Sequence, residues 1–335
     1  MAHEIEGNNA FFTGKAAWHG LGTVLTEAPT PEEAWKLAYP HTLHKLDLEA
    51  VVKGDDGSIH RMPLTSSKVI IRDDGKEFKT VGANFELVQP LEIFEFFRPM
   101  IESGLITLEA GGSLREGSQM WCLGKVKGGE AEVIKGDPIK CYLNFFTGFD
   151  GRLQAGFNQT NIRVVCANTL ALATGIGGNG RITSAQKKKY GIQTFKHTKN
   201  IRLKINDAMA YVKATLDNFT RDIEAFRVLA KKKVSEPKLE TYVRRVFLTK
   251  DELEEKVEIS TKKQNIVSDV IDLLDTQRGL DLVPAIRGTA WQGYNAVTQY
   301  LSHDYGRSAD TRLTSLWHGQ NAALNTNALA LALEM

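Results

Sequence analysis

The chain is 335 residues long and has few cysteines, no long apolar run and one extended stretch without acidic residues. Its three cysteines, Cys122, Cys141 and Cys166, are odd in number and lack CxxC spacing, which argues against a disulfide framework and a structural zinc site. The longest apolar runs, such as LALAT, are too short to cross a bilayer, and the first residues lack the pattern of a signal peptide. We therefore expect a cytoplasmic protein with no membrane contact, no metal and no cofactor.

No Asp or Glu occurs from Gly151 to Asn206, although this stretch holds ten Lys or Arg. We call residues 151–206 the acid-free segment. Of the 42 basic residues, 32 lie elsewhere and face 40 acidic ones, so an acidic body carries one strongly basic stretch. Such a concentrated positive field attracts polyanions and steers their approach. The alternative is that the acidic body folds over the segment and neutralises it.

The first half of the chain has the alternation and the turn residues of β-strands. Two stretches, VVKGDDGSIHRM and KVIIRDDGKEFKTV, predict hairpins with Asp-Gly turns and four short strands in all. Thr30, Pro31 and Glu33 predict a helix start with a capping box. The stretch QPLEIFEFFRPMIESG predicts one helix that ends at Gly104.

A second β-rich run, from about residue 105 to Cys166, predicts an antiparallel meander. Tight turns are expected at residues 149–152 and 158–161, which leaves a last strand at about 161–166. Asn168 and Thr169 are then expected to begin a short helix over LALA.

From Thr198 onward the apolar spacing is helical. After a long first helix, further helices are expected at about 238–248, 262–277, 288–302 and 309–333. The sequence therefore predicts the α+β class, with an antiparallel β-meander and packed helices followed by a mostly helical C-terminal half. We divide the chain into an N-terminal arm with a short helix (1–45), a β-rich core with the basic segment (46–206) and a helical C-terminal region (207–335).

Two short patterns invite a catalytic interpretation. GIGGNG at residues 175–180 matches the letters of the dinucleotide-binding glycine motif, but a predicted helix precedes it and no acidic residue follows for the ribose, so a flexible hinge is the better interpretation. Cys166 and His197 could form a nucleophile and its base, together with Asn168. A packed core cysteine is the simpler interpretation of Cys166.

The acid-free segment combines basic and aromatic residues in the way that binding of single-stranded nucleic acid requires. Charged side chains follow the phosphates, and rings stack on unpaired bases without reading sequence. Tyr190 and Phe195 are the predicted stacking residues, and Gly175–Gly180 would let the loop close over the strand. The predicted phosphate contacts are Arg152, Arg163, Arg181, Lys187, Lys188, Lys189, Lys196, Lys199, Arg202 and Lys204.

Several motifs occur along the chain in a fixed order: MAHE at residues 1–4, WHGLG at 18–22, RVVCANTL at 163–170, KHT at 196–198, GTAW at 288–291 and NAV at 295–297. Together they resemble those of the phage/plasmid-like protein family, which is defined by a domain of unknown function. The resemblance covers nearly the whole chain and implies a mobile-element protein in a bacterial or phage-infected host cell, but it brings no activity and no catalytic residues. The predicted architecture is also similar to the ring-forming single-strand annealing proteins of the Redβ, RecT and Erf type.

The leading hypothesis is a non-enzymatic, homo-oligomeric protein that binds single-stranded DNA and anneals strands in phage or plasmid recombination or replication. A ring is one form that the oligomer could take. Two alternatives stay open. One is a nucleic-acid-directed enzyme that uses Cys166 and His197. The other is a protein of a mobile element that binds an acidic host factor through its basic segment.

Overall fold

The structure is a computed structural model. For residues 168–170, 193–195 and 208–214 it describes the backbone only. The residues that it describes are 5–14, 21–151, 153–165, 168–170, 193–195, 197, 208–306, 312, 315, 316 and 320–335.

Eleven named strands form two sheets. The larger sheet has eight strands in the order β10–β9–β8–β7–β6–β1–β2, and β11 pairs with β9 on the same side as β10. Neighbouring strands are antiparallel except for β1 and β2, which are parallel. The smaller sheet has the order β3–β4–β5. The strands are β1 (Ile5–Thr13), β2 (Thr23–Leu25), β3 (Leu43–Lys53), β4 (Ile59–Arg72), β5 (Glu77–Gly82), β6 (Ile106–Leu114), β7 (Gln119–Glu132), β8 (Pro138–Gly148), β9 (Ala155–Arg163), β10 (Asn168–Leu170) and β11 (Gln193–Phe195).

The smaller sheet confirms both predicted Asp-Gly turns. Gly57 and Gly75 have φ angles of 82° and 86°, which glycine adopts without strain. The prediction of four strands is wrong, because β4 runs without a break through both predicted hairpins. Pro63 does not interrupt it, since a proline is compatible with a strand whose outer edge is unpaired.

Nine named α-helices accompany the sheets. Thr30 and Glu33 form the predicted capping box at the start of α1. The predicted single helix before Gly104 is two helices, α2 and α3, because Pro99 has no N–H to continue the hydrogen bonds. The helices are α1 (Pro31–Ala38), α2 (Pro90–Glu95), α3 (Arg98–Glu102), α4 (Ala208–Lys231), α5 (Glu236–Phe247), α6 (Lys250–Leu253), α7 (Thr261–Thr276), α8 (Ala290–His303) and α9 (Gln320–Glu334).

The fold is α+β with a mostly helical C-terminal half, as the sequence predicts. The starts of α5, α7 and α8 lie within two residues of the predicted ones. The predicted domain boundaries at residues 45 and 206 stay predictions.

Two local predictions around β9 are wrong. Residues 158–161 do not form a turn, since each of them pairs with a residue of β8. Asn168 begins the short strand β10 rather than a helix. Polar letters suggested a turn, but here alternate polar side chains of a strand are buried against neighbouring elements.

The main hydrophobic core lies between one face of the larger sheet and the helices. On the sheet side it includes Phe145 and Phe157, which pair across β8 and β9. Phe157 stacks on Phe96, and the ring of Phe145 contacts Phe96 at a tilt. On the helical side Trp291 packs beside Phe226. Each fully buried apolar side chain of this size contributes about 1.5–3 kcal/mol. The core therefore joins the sheet to the C-terminal helices.

Candidate functional site

The outer edge of β9 holds both described ends of one long connection. β10 pairs with residues 161–163 of β9, and β11 pairs with residues 155–157 on the same side. Leu170 lies opposite Asn161, and Gln193 lies opposite Phe157. These two points on β9 are four residues apart, or about 14 Å along the strand. Residues 171–192, in the middle of the acid-free segment, thus leave and rejoin a single sheet edge.

Most of the predicted nucleic-acid contacts lie outside the described residues. Of the stacking residues, Phe195 has a described backbone, which is paired with Ala155 in β11. The predicted contacts outside the described residues are Arg152, Arg181, Lys187, Lys188, Lys189, Tyr190, Lys196, Lys199, Arg202 and Lys204.

Arg163 is a correction to the predicted phosphate contacts. Its side chain is fully buried, and its Nε and Nη2 donate to Oδ1 and Oδ2 of Asp137 at 2.7 and 3.0 Å. The guanidinium carbon also lies 5.9 Å from the ring centre of Trp291. A bidentate, buried guanidinium with a carboxylate partner is not available to a phosphate. Arg163 therefore belongs to the interior of the fold.

Asp137 connects the sheet to the helices. It lies immediately before β8, and its Oδ2 also accepts a hydrogen bond of 2.8 Å from Nε1 of Trp291 in the first turn of α8. Thr289 caps that helix by accepting from the backbone N–H of Gln292. The RVVC and GTAW motifs, which lie more than a hundred residues apart in sequence, thus meet at one carboxylate.

A second buried carboxylate lies on α4. Oδ2 of Asp222 accepts hydrogen bonds from Nε2 of Gln159 at 3.0 Å and from Nδ2 of Asn161 at 2.7 Å. Gln159 and Asn161 are also bonded to each other at 3.1 Å. Because alternate residues of a strand share a face, positions 159, 161 and 163 of β9 all point toward the helices.

We call these buried side chains the polar joint. Each member is at most 1% exposed and is hydrogen-bonded to another member. The hydrogen bonds form two groups, one around Asp137 and one around Asp222. Buried groups of this kind orient the elements that they connect, but they offer no surface to a substrate. The members are Asp137, Gln159, Asn161, Arg163, Asp222 and Trp291.

Sequence reasoning missed the polar joint except for Arg163, which it assigned to the wrong role. Gln159, Asn161 and Arg163 occupy alternate positions of β9, but Asn158 and Thr160 between them are polar as well, so the sequence shows no strand with a single polar face. The two aspartates carried no signal either, since an acidic residue before a strand or within an amphipathic helix is ordinarily exposed.

His197 is a structural residue in this fold. Its ring stacks on Phe85 with centroids 4.5 Å apart. Nδ1 lies 2.9 Å from the carbonyl oxygen of Glu86, which can only accept, so Nδ1 carries the proton. Nε2 then accepts from the hydroxyl of Thr147 at 3.4 Å. Burial lowers the pKa of His197 and so favours the neutral ring, although the hydrogen bond to Glu86 acts in the opposite direction.

The arrangement counts against a catalytic pair of Cys166 and His197. Cys166 lies outside the described residues, and the described residues before and after it in sequence, Val165 and Asn168, lie at the Arg163 end of β9. His197 follows β11, which ends opposite Ala155. Eight residues of strand separate these two ends of β9, a distance of about 27 Å.

The other two cysteines are unreactive by environment. Cys122 and Cys141 are fully buried, and burial raises the pKa of both thiols. Across the described part of the chain, no group of three or more His, Cys, Asp or Glu side chains is arranged to hold a metal ion. The GIGGNG stretch lies outside the described residues.

The comparisons with known proteins identify a family and nothing beyond it. Residues 77–324 match the family model described as Domain of unknown function (DUF932). The chain belongs to the DUF932 family. The DUF932 region includes the polar joint and both strands that tether residues 171–192, whereas the hairpin of β3 and β4 precedes it. No curated protein and no solved structure matches the chain.

Within the described ranges, no helix combines the length and the apolar character that a membrane span needs. The longest named helix, α4 (Ala208–Lys231), contains seven charged residues.

Proposed function

We propose that this DUF932 protein binds single-stranded DNA without an enzymatic step and promotes the annealing of complementary strands. The acid-free segment is the binding element in this proposal, and the eight-stranded sheet is its support. We further propose that it acts as a homo-oligomer in the recombination or replication of a phage or plasmid, as the resemblance to the phage/plasmid-like family implies.

The observation that carries the proposal is the tether on β9. The strands immediately before and after residues 171–192, β10 and β11, both pair with the outer edge of β9. A basic stretch held in this way has one fixed origin on the body, so its charges act together on one polyanion rather than as separate surface charges. The acid-free composition leaves these charges without neutralising neighbours in sequence.

In this mechanism the basic side chains neutralise phosphates and release counterions. Tyr190 and Phe195 stack on unpaired bases, and Gly175–Gly180 let the chain close over the strand. Arg163 is removed from the set because of its bond to Asp137. The remaining phosphate contacts are Arg152, Arg181, Lys187, Lys188, Lys189, Lys196, Lys199, Arg202 and Lys204.

The test uses two runs of three lysines in the same chain. Lys187–Lys189 lie in the acid-free segment, and Lys231–Lys233 lie at the end of α4. Replacing either run by three glutamines removes the same charge, so the second variant is a matched control. Fluorescence anisotropy with a labelled single-stranded oligonucleotide, across a salt series, measures the affinity and its salt dependence.

We expect the Lys187–Lys189 variant to bind about 100-fold more weakly at 0.1 M salt and to lose about 2 units of log–log salt slope, since three phosphate contacts are lost. The Lys231–Lys233 variant should bind as the unmodified protein does. Equal losses in both variants would mean that only net charge matters, and no loss in either would remove the acid-free segment from the function. Preferred binding of RNA or of duplex DNA would refute the choice of ligand.

A further inference from the structure

The hairpin of β3 and β4 carries an unusual set of exposed apolar side chains. It extends well beyond β5, which pairs only with residues 67–71 of β4. Six of its large apolar residues are between 43% and 65% exposed. An isolated two-stranded hairpin is marginally stable in water, and contiguous exposed apolar surface marks an interaction site. These six residues are Leu46, Val51, Val52, Ile59, Met62 and Leu64.

The strand pairing gives the hairpin one largely apolar face and one mixed face. On the apolar face Leu48 lies opposite Leu64, and Ala50 lies opposite Met62. The mixed face carries the ion pair of Glu49 with Arg61, whose atoms are 3.4 Å apart, together with Val51 and Ile59. Alternation of this kind is typical of a strand with one covered face.

The two long edges of the hairpin differ in how they are protected. On β4, Pro63 has no N–H to offer, and residues 65–67 form a bulge with no partner on β3. Proline and bulges are the means by which proteins block an edge against further pairing. On β3, residues 44–53 contain neither proline nor bulge. Within the described part of the chain, no strand pairs with this outer edge.

The base of the β3 edge is already closed by a side chain. The backbone N–H of Leu43 donates to Oε1 of Gln89 at 3.0 Å, and Nε2 of Gln89 donates to the carbonyl oxygen of Leu43 at 2.8 Å. The backbone N–H and C=O of Leu43 therefore point away from β4, and so do those of every second residue after it along β3. Pro63, which lies opposite Glu49 and has no N–H for β3, fits this alternation. The open edge thus begins beyond Leu43.

We propose that the β3 edge binds the β3 edge of a second copy of this chain, in an antiparallel pair about a two-fold axis. The product is a continuous four-stranded sheet in the order β4–β3–β3–β4, which joins two hairpins that have only two strands each at this end. This interface does not depend on DNA binding, so either proposal can fail without the other.

Charge favours one register of this pairing. Matching the apolar faces requires the axis to pass through a residue position, and the central positions 47, 48 and 49 each bring like charges together. With the axis at Asp47, Asp47 faces Asp47 of the second copy. With the axis at Leu48, Asp47 faces Glu49 of the second copy. With the axis at Glu49, Glu49 faces Glu49 of the second copy. An axis at Leu46 would need the backbone of Leu43, which Gln89 already occupies.

Axes at Val51 and Val52 would oppose Asp55 of the turn to Asp47 and to Glu49, respectively. The register centred on Ala50 has no such conflict. It opposes Asp47 to Lys53 of the second copy twice and Leu48 to Val52 twice, so that opposite charges and apolar residues pair. Asp47 is 80% exposed, although it also contacts Lys68 of its own hairpin, and Lys53 is exposed. Residues 47–53 of both copies then pair through about eight backbone hydrogen bonds.

The chemistry of the face argues against other occupants. The apolar face, formed by Leu48, Ala50, Val52, Met62 and Leu64, includes no Lys or Arg, so it offers no positive charge to phosphates. The tip carries Asp55 and Asp56, which an anionic lipid surface would repel. A second copy supplies both the open strand and the opposite charges.

The experiment is analytical ultracentrifugation of the full chain without DNA, at micromolar concentrations. Glu49→Pro and Arg61→Pro form a matched pair, because each breaks the same Glu49–Arg61 ion pair and each adds a proline at a position whose N–H points outward. Only Glu49→Pro blocks the β3 edge. We expect dimers for the unmodified protein and for Arg61→Pro, and roughly 30-fold weaker association for Glu49→Pro.

Charge exchange tests the register without touching the backbone. Lys53→Asp should weaken association, and the double variant Asp47→Lys with Lys53→Asp should restore it, because the opposite charges meet again across the axis. Monomers of the unmodified protein at every concentration, or undiminished association in Glu49→Pro, would overturn the proposal. Failure of the charge exchange to restore association would overturn the Ala50 register.

Discussion

Replacement of Arg163 by methionine separates its structural role from its predicted role at a phosphate. In the fold the guanidinium makes two hydrogen bonds to Asp137 and lies over Trp291, with both charged groups fully buried. The Arg163→Met change leaves the carboxylate of Asp137 in the interior without its cation. The indole N–H of Trp291 still donates to it, but a neutral donor does not balance its charge.

The expected loss in the free energy of unfolding is about 3–5 kcal/mol, the range measured when one partner of a buried ion pair is removed. Removing both charges, as Arg163→Met with Asp137→Asn, should cost less than the single change, because no charge is then left unpaired. An exposed ion pair sets the scale of the control. Arg61→Met breaks the Glu49–Arg61 pair and should cost about 0–1 kcal/mol.

Urea unfolding, followed by circular dichroism, measures these differences as shifts of the midpoint at a constant slope. The same proteins are then titrated with single-stranded DNA across a salt series. If Arg163 contacted a phosphate, its loss would lower the salt slope by about 0.7 and leave the stability unchanged. That pair of results would refute the assignment of Arg163 to the polar joint.

Two further changes test contacts of the same region. Because burial lowers the pKa of His197, the unfolded state binds a proton more readily than the folded state below the unfolded pKa of about 6.5, and the fold loses stability as pH falls through that value. The difference in unfolding free energy between the unmodified protein and His197→Gln, measured from urea midpoints, should therefore be larger at pH 7.5 than at pH 5.5. An equal difference at both pH values would contradict a buried neutral ring. Gly279 has a φ angle of 78°, and a Cβ there would lie 2.8 Å from Cγ2 of Val165, so Gly279→Ala should cost about 1–3 kcal/mol. Gly136→Ala, at a φ of 82° with open space around it, carries only the backbone penalty, and an equal loss in both would refute the contact with Val165.

The features that the sequence predicts correctly are those decided by local chemistry. The capping box of Thr30 and Glu33 involves residues three apart, and the turn at Gly57 needs only a positive φ. The C-terminal helices follow from apolar spacing within single elements. Each of these signals lies within one turn or one helix of the chain.

The errors arise where distant residues decide the structure. Residues 158–161 have the letters of a turn, but Asp222 of α4 supplies the acceptor that makes amide side chains stable inside a strand. Arg163 was grouped with the lysines that follow it, although its partner Asp137 lies on the other side of β8 in sequence. No local pattern encodes either partnership, because both depend on how the strands and the helices pack.

The tether on β9 has a consequence for how this fold can change. Residues 171–192 connect β10 to β11, which both pair with the outer edge of β9. All eight strands of the larger sheet are formed by residues outside this stretch. Doubling the length of such a connection adds only about 0.6 kcal/mol of closure entropy. The length and composition of this stretch can therefore differ between relatives while the register of the strands beneath it stays the same.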